Sequence, residues 1–374
     1  MTLVTGVIVI DATKVCRLNT GNEIVLLPLV PDLRKVYLEV TAECNFSCIT
    51  CIRHSWRDDM GRMSDTTFQA IAAGFSGLPD LRTIHFGGFG EPLTHPKMLD
   101  MIAQCKAAGY TVEMITNGSL LTAETAAALL DAGLDWLFIS LDGSDSHSYG
   151  NIRPGADYGE VVGNIGQLQR LKKERRSVLP RIGIEFVATK ANFSRLPSMR
   201  QVVDELKADR FIVTHVLPYH ESMKDEILYD QGADMLGFGW ESPLLSVKTA
   251  PKMRLETQRV CRFVEAKAAA ITWQGDVSPC YALMHSYDCY ILGRKKAMTA
   301  CHFGNVSTQS LADIWTGSEY ATFRWIARNS RYPSCTDCRQ ADGCVLAQTN
   351  EGDCWGNRPS CGDCLWARDL IVCP

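Results

Sequence analysis

Between residues 36 and 214 the chain alternates short apolar runs with longer stretches whose apolar positions recur every three or four residues. The runs at 36–40, 83–86, 111–115, 136–140, 182–187 and 211–214 are rich in Val, Ile, Phe, Tyr and Thr, which suits strands. The stretches between them predict helices starting near 65 and 96, over 123–131 and 158–173, and near 196–206. Six strand–helix units predict an α/β fold with a parallel sheet covered by helices. Either an open doubly wound sheet or an incomplete barrel satisfies that pattern, and in both the chemistry gathers at the C-terminal ends of the strands.

The flanks read differently. Residues 1–10 are apolar, lack a basic start and are interrupted by Asp11, which predicts a strand in an N-terminal β extension (1–34) rather than a signal peptide. The barrel-like pattern fills 35–220, a connector of mixed pattern covers 221–254, and a cysteine-dense domain runs over 255–374. With no apolar stretch of ~18 residues, no membrane partner is expected and the location is expected to be cytoplasmic. A formal charge of -4 gives no reason to expect a nucleic-acid partner, and the basic run at 170–176 reads as the solvated end of a helix.

Cysteine changes the picture most. Sixteen thiols in a reducing compartment do not form a disulfide framework, so metal binding is the expected use. Three fall in Cys44-x3-Cys48-x2-Cys51, directly after the first strand, and eleven lie from Cys261 onward. Cys16 and Cys105 stand apart and read as buried thiols. Three thiolates on one loop cap three corners of a cubane iron–sulfur cluster and leave the fourth iron open to an external ligand. The alternative is a zinc ion completed by His54. Polar groups follow the next strands. Gly88, Gly90 and Glu91 end the second, Asn117 the third, and Ser140 and Asp142 the fourth, with Arg153 just beyond. Such groups converge on a ligand, or each caps the helix that follows it.

The cysteine loop at the end of the first strand of a six-unit partial (β/α)6 TIM-like barrel resembles the radical SAM superfamily. The resemblance implies a [4Fe–4S] cluster held by Cys44, Cys48 and Cys51, whose open iron binds S-adenosylmethionine and cleaves it to a 5′-deoxyadenosyl radical. It assigns the glycine turn and Glu91 to the methionine amino group, although Phe89 is inserted between Gly88 and Gly90. Ser140, Asn117, Asp142 and Arg153 fall at its ribose- and carboxylate-binding positions. Thr50 stands where the superfamily usually has an aromatic residue near adenine.

Beyond the barrel, Cys261, Gly275 and Cys280, then Cys335-x2-Cys338-x5-Cys344, resemble the SPASM extension, a small iron–sulfur domain with one or two auxiliary [4Fe–4S] clusters. That pattern groups Cys261, Cys280 and Cys354 on one cluster. It groups Cys335, Cys338 and Cys344 on the other, with one of Cys361, Cys364 or Cys373. Cys289 and Cys301 are spare, and a zinc ribbon built on 335–338 and 361–364 is the alternative. Narrower stretches at 51–56 and 353–366 resemble the radical SAM maturase family of tungsten cofactor oxidoreductases. The function implied is modification of a protein or peptide substrate, in maturation of a tungsten-dependent oxidoreductase, with ferredoxin or flavodoxin as electron donor. A ribosomal-peptide or sulfatase-type maturase is the rival enzyme, and a non-catalytic iron–sulfur or zinc scaffold the rival of another class. Arg53, His54 and Trp56 lie where they can tune the cluster or belong to a surface helix. No general base stands out, and His215 and His220 read no better than ordinary histidines.

Overall fold

The computed structural model describes residues 14–21, 23–229, 245–248 and 253–373. The apolar start at 1–10 and much of the connector therefore lie outside the described residues. A hairpin of β1 (Val15–Asn19) and β2 (Ile24–Pro28) precedes the main sheet. The six strands expected from the pattern are β3 (Lys35–Leu38), β4 (Thr83–Phe86), β5 (Thr111–Thr116), β6 (Trp136–Ser140), β7 (Arg181–Ala188) and β8 (Arg210–His215). They pair in parallel, in chain order, without a reversal. A doubly wound sheet reverses its order where its ligand binds. The monotonic order, with right-handed crossovers, instead keeps the helices on one face and makes a partial barrel.

Three further strands extend that sheet. Connector strand β9 (Ser246–Lys248) adds to β8, and β10 (Ala268–Ile271) adds in parallel to β3, with β11 (Val277–Ser278) antiparallel beyond it. The cysteine-rich region is thus hydrogen-bonded into the barrel wall. Pattern reading misses β10 because its sequence is Ala-Ala-Ala-Ile; alanine has little strand preference, and only burial against β3 makes it a strand. A hairpin of β12 (Tyr287–Ile291) and β13 (Arg294–Met298) follows.

The covering helices bury the stripe their spacing predicts. In α1 (Asp65–Gly74) Phe68 and Ile71 face the sheet, and in α2 (Met98–Ala107) Met98, Met101, Ile102 and Cys105 do. Next come α3 (Ala123–Asp131), α4 (Ser146–Ile152) and α5 (Tyr158–Glu174), which buries Val161, Ile165 and Leu168. Side chains of Ser64, Thr122 and Asp157 cap α1, α3 and α5 by accepting a backbone N–H. The basic run at 170–176 lies at the end of α5, but Lys172 is buried and donates to the Pro180 carbonyl at 2.6 Å. The described helices include none long and apolar enough to cross a membrane.

Strands β4, β6 and β7 are buried on both faces, so the inward side chains form a packed interior with one gap at the C-terminal end. Leu137 in β6 is fully buried. Leu137→Ala is expected to destabilise the protein by ~2–5 kcal/mol, read as a lower urea midpoint, because its neighbours cannot collapse into the void.

Candidate active site

That gap is a cavity of ≈ 280 Å³ walled by the C-terminal ends of β3 to β8. Cys44, Cys48 and Cys51 lie at its rim on the loop after β3. The loop is held by its own polar groups: the Arg53 guanidinium donates to the Ala42 and Phe46 carbonyls at 3.0 and 3.1 Å, and Ile49 N–H to the Ile152 carbonyl at 2.9 Å. Donors also reach the sulfurs. Arg53 Nε sits 3.3 Å from Cys51 Sγ, and Phe46 N–H 3.4 Å from Cys44 Sγ. Burial pushes the Cys48 thiol up to about 11 and raises Cys44, so a metal must displace their protons to bind. Three soft sulfurs on one loop, met by N–H donors and a cation, fit an anionic iron–sulfur cluster. His54 does not turn to these sulfurs: its Nε2 lies 3.1 Å from the Cys48 carbonyl, which disfavours the zinc alternative.

The glycine turn after β4 folds back against this loop. Gly88 has φ +101, and a Cβ there would sit 2.7 Å from Glu39 Cγ. A Cβ on Gly90 would fall 2.1 Å from the Thr41 carbonyl, so only glycine lets the two strand ends approach. Glu91 is buried, and its carboxylate accepts from Thr116 Oγ1 at 2.8 Å, Asn117 N–H at 2.7 Å and Leu93 N–H at 3.1 Å. Burial nevertheless raises its pKa. Asn117 bridges onward, donating to Asn45 Oδ1 at 2.8 Å, with Cys44 Sγ at 3.8 Å.

Ser140 lines the cavity at the end of β6. Asp142 lies behind the wall instead, its carboxylate bonded to Arg153 at 2.7 and 2.9 Å and to Val187 N–H at 2.8 Å. Arg153 does line the cavity and brings its charge towards Cys48. The other side of the cavity holds Thr116, Glu185, Tyr281 and Trp366, together with His85, none of them a candidate from the sequence, and Cys373, which the family pattern offered only as an auxiliary-cluster ligand. Strand alternation could have flagged His85 and Glu185 as inward polar positions. His215 is also in this wall, whereas His220 is exposed and caps a short turn through Ser222 N–H.

The C-terminal cysteines divide by place. Cys261, Cys280, Cys361 and Cys364 line one small cavity. Cys361 and Cys364 therefore stand beside Cys261 and Cys280, where the family pattern had put Cys354. Cys338 and Cys354 are exposed, Cys335 and Cys344 half-buried. Cys373 belongs to the central cavity, with Trp366 Nε1 donating to its sulfur at 3.3 Å. Buried cations border this region, Arg259, Lys296 and Arg368 among them. Lys296 pairs with Asp363 at 2.7 Å, and fully buried Arg368 leaves its Nε without a hydrogen bond among the described residues. A spare buried donor beside Cys364 suits a cluster that carries negative charge. Cys105 is buried and pushed up to about 12, Cys289 is buried and raised, and Cys16 and Cys301 line a separate cavity.

The radical SAM superfamily profile matches residues 38–184, and the SPASM iron–sulfur cluster-binding domain profile matches residues 261–339. The chain is 38% identical over 350 residues to the tungsten-containing aldehyde ferredoxin oxidoreductase cofactor-modifying protein of Pyrococcus furiosus, covering 91% of this chain and 97% of that one. It is 26% identical to PqqA peptide cyclase of Methylorubrum extorquens, covering 89% of this chain and 86% of the relative. Among solved structures, Streptococcus suis SuiB bound to S-adenosylmethionine superposes with a TM-score of 0.60 at 18% identity, over 86% of this chain and 73% of that one, which shows the shared fold.

Arg153→Met is expected to cost ~3–5 kcal/mol in a denaturant titration, because it strands the buried Asp142 carboxylate. Adding Asp142→Leu to that variant should recover part of the loss.

Proposed function

Because the chain belongs to the radical SAM superfamily, carries a SPASM domain and shares its family with the Pyrococcus furiosus cofactor-modifying protein, we propose that it modifies a protein or peptide in the maturation of a tungsten-dependent oxidoreductase. It is an enzyme whose cofactors are S-adenosylmethionine and [4Fe–4S] clusters. The observation that carries the reading is the three-cysteine loop opening onto a cavity that also holds the glycine turn and Glu91.

When bound, the cluster and S-adenosylmethionine supply a 5′-deoxyadenosyl radical by one-electron cleavage of the sulfonium. Cys44, Cys48 and Cys51 would hold that cluster, with Arg53 and Asn117 donating towards the Cys51 and Cys44 sulfurs. Gly88, Gly90 and Glu91 shape the seat for the methionine amino group, with Glu91 fixed by Thr116 and Asn117. Ser140 and Arg153 face the ribose and carboxylate side, and Asp142 acts by fixing Arg153.

Cys261, Cys280, Cys361 and Cys364 hold one auxiliary cluster, supported by their shared cavity. That leaves Cys335, Cys338, Cys344 and Cys354 for a second. Reduced ferredoxin or flavodoxin supplies the electron. The likeness to PqqA peptide cyclase favours a second reading, a maturase that crosslinks a small peptide.

Anaerobically reconstituted protein with dithionite is expected to yield 5′-deoxyadenosine and methionine, followed by chromatography; intact cluster without cleavage sinks the proposal. Cys48→Ala should abolish that cleavage. Cys364→Ala should lower the modified product formed per 5′-deoxyadenosine, scored by mass spectrometry of the co-produced oxidoreductase. About twelve irons and twelve sulfides per chain are expected, as three cubanes require, and zinc alone would point to a scaffold.

A further inference from the structure

We propose that His85 is the base that takes the substrate's proton in this reaction. The proposal rests on the reading of the chain as a radical enzyme acting on a protein or peptide, and it names the proton-handling group of that same cavity.

His85 lies on β4, two residues before the glycine turn, and points into the barrel as strand alternation requires. Its ring is fully buried, yet the two nitrogens are treated differently. Nδ1 lies 3.1 Å from Glu113 Oε2, while Nε2 has no hydrogen bond among the described residues. A buried imidazole nitrogen without a partner is costly unless something outside the chain meets it. The cavity that His85 lines is where a ligand can do so.

The neighbours set the tautomer. Burial alone would raise the Glu113 pKa, but the bond to His85 and the Lys35 ammonium at 2.6 Å hold it at about 2, so Glu113 is a carboxylate at neutral pH. A carboxylate accepts only, so Nδ1 carries the hydrogen and Nε2 keeps a free lone pair. Burial, and then the charge of Lys35, hold His85 below the usual histidine range against the pull of Glu113. Tyr37 packs on the ring from β3 at 5.0 Å, and Glu185 on β7 faces the same cavity. The ring is therefore neutral, oriented and able to accept one proton, which Glu113 then stabilises as imidazolium.

Transfer of a hydrogen atom from a substrate carbon to the 5′-deoxyadenosyl carbon leaves a carbon radical. When that carbon joins a neighbouring X–H group, the C–X bond forms and the X–H bond breaks. The proton would go to Nε2 as a new N–H bond, and an oxidised iron–sulfur cluster, if held by the C-terminal cysteines, would take the one surplus electron. Glu113 is a positioning residue here, since it acts only through His85.

The test uses reconstituted full-length enzyme with its co-produced tungsten-dependent oxidoreductase, whose mass shift is scored against 5′-deoxyadenosine released. His85→Gln should lower product per 5′-deoxyadenosine by about 100-fold, the lower end of general-base contributions. Glu113→Gln should lower kcat at unchanged KM. An unchanged ratio in His85→Gln overturns the proposal, and loss of 5′-deoxyadenosine from the wild-type enzyme instead overturns the parent reading. Nitrogen-15 NMR of labelled histidines in wild-type protein decides independently of turnover. Hydrogen on Nδ1 and a bare Nε2 at pH 7 is expected, and hydrogen on Nε2 would refute the assignment.

Discussion

The carboxylate of Glu91 must be buried at the place where three strands end, and the geometry around it follows from that constraint. A charge taken out of water there is tolerable only with several donors on it. The Thr116 hydroxyl and the N–H groups of Asn117 and Leu93 provide them, while Glu91's own N–H donates to the Glu43 carbonyl at 2.8 Å. One residue on the β4 turn thereby fixes the start of the cysteine loop after β3 and the end of β5. Asn117, held in this way, reaches the cysteine loop through Asn45. The cysteine loop and the glycine turn are parts of one hydrogen-bonded unit.

A second unit couples the barrel to the cysteine-rich region. Glu39, fully buried at the end of β3, lies 2.8 Å from His285 Nε2, and Asp58 lies 3.3 Å from the other ring nitrogen. Burial would lower the His285 pKa, but the two carboxylates raise it overall. Trp56 stacks on the same ring with centroids 3.8 Å apart, which gives this residue after the cysteine loop a structural role. Gly88 passes directly over Glu39, and Phe89 N–H points to it at 3.4 Å. The C-terminal region thus supports the glycine turn from below and also adds β10 to the sheet. Its last residues return to the cavity wall, where Val372 N–H donates to Thr214 Oγ1 at 2.9 Å and His215 N–H to the Leu370 carbonyl.

Inside that region, positive charge is buried where the cysteines gather. Arg259 donates to the Pro333 and Tyr332 carbonyls, Arg368 to the Arg254 carbonyl and Ser334 Oγ, and Lys296 to Asp363. An iron–sulfur cluster with four thiolates is anionic, and fixed cations nearby offset that charge and influence its potential. The barrel interior follows a related economy: Lys35, Glu113 and His85 form one compact charged group under the cavity.

The sequence by itself determined the repeating units and the three-cysteine loop. Strand and helix periods are local, so β3 to β8, α1, α3 and α5 were legible at nearly their observed bounds. Cys44, Cys48 and Cys51 were legible because their spacing lies within one loop. What joins residues distant along the chain was not. Three alanines do not announce a strand until β3 pairs with them, and family spacing placed Cys354 where the fold brings Cys361 and Cys364. Asp142 looked like a cavity residue until Arg153 and Val187 claimed its oxygens. His85 looked like one polar residue in an apolar strand. Only the closure of the barrel set Glu113 against one of its nitrogens and left the other buried without a hydrogen bond among the described residues, since an imidazole's role depends on which groups reach it in space.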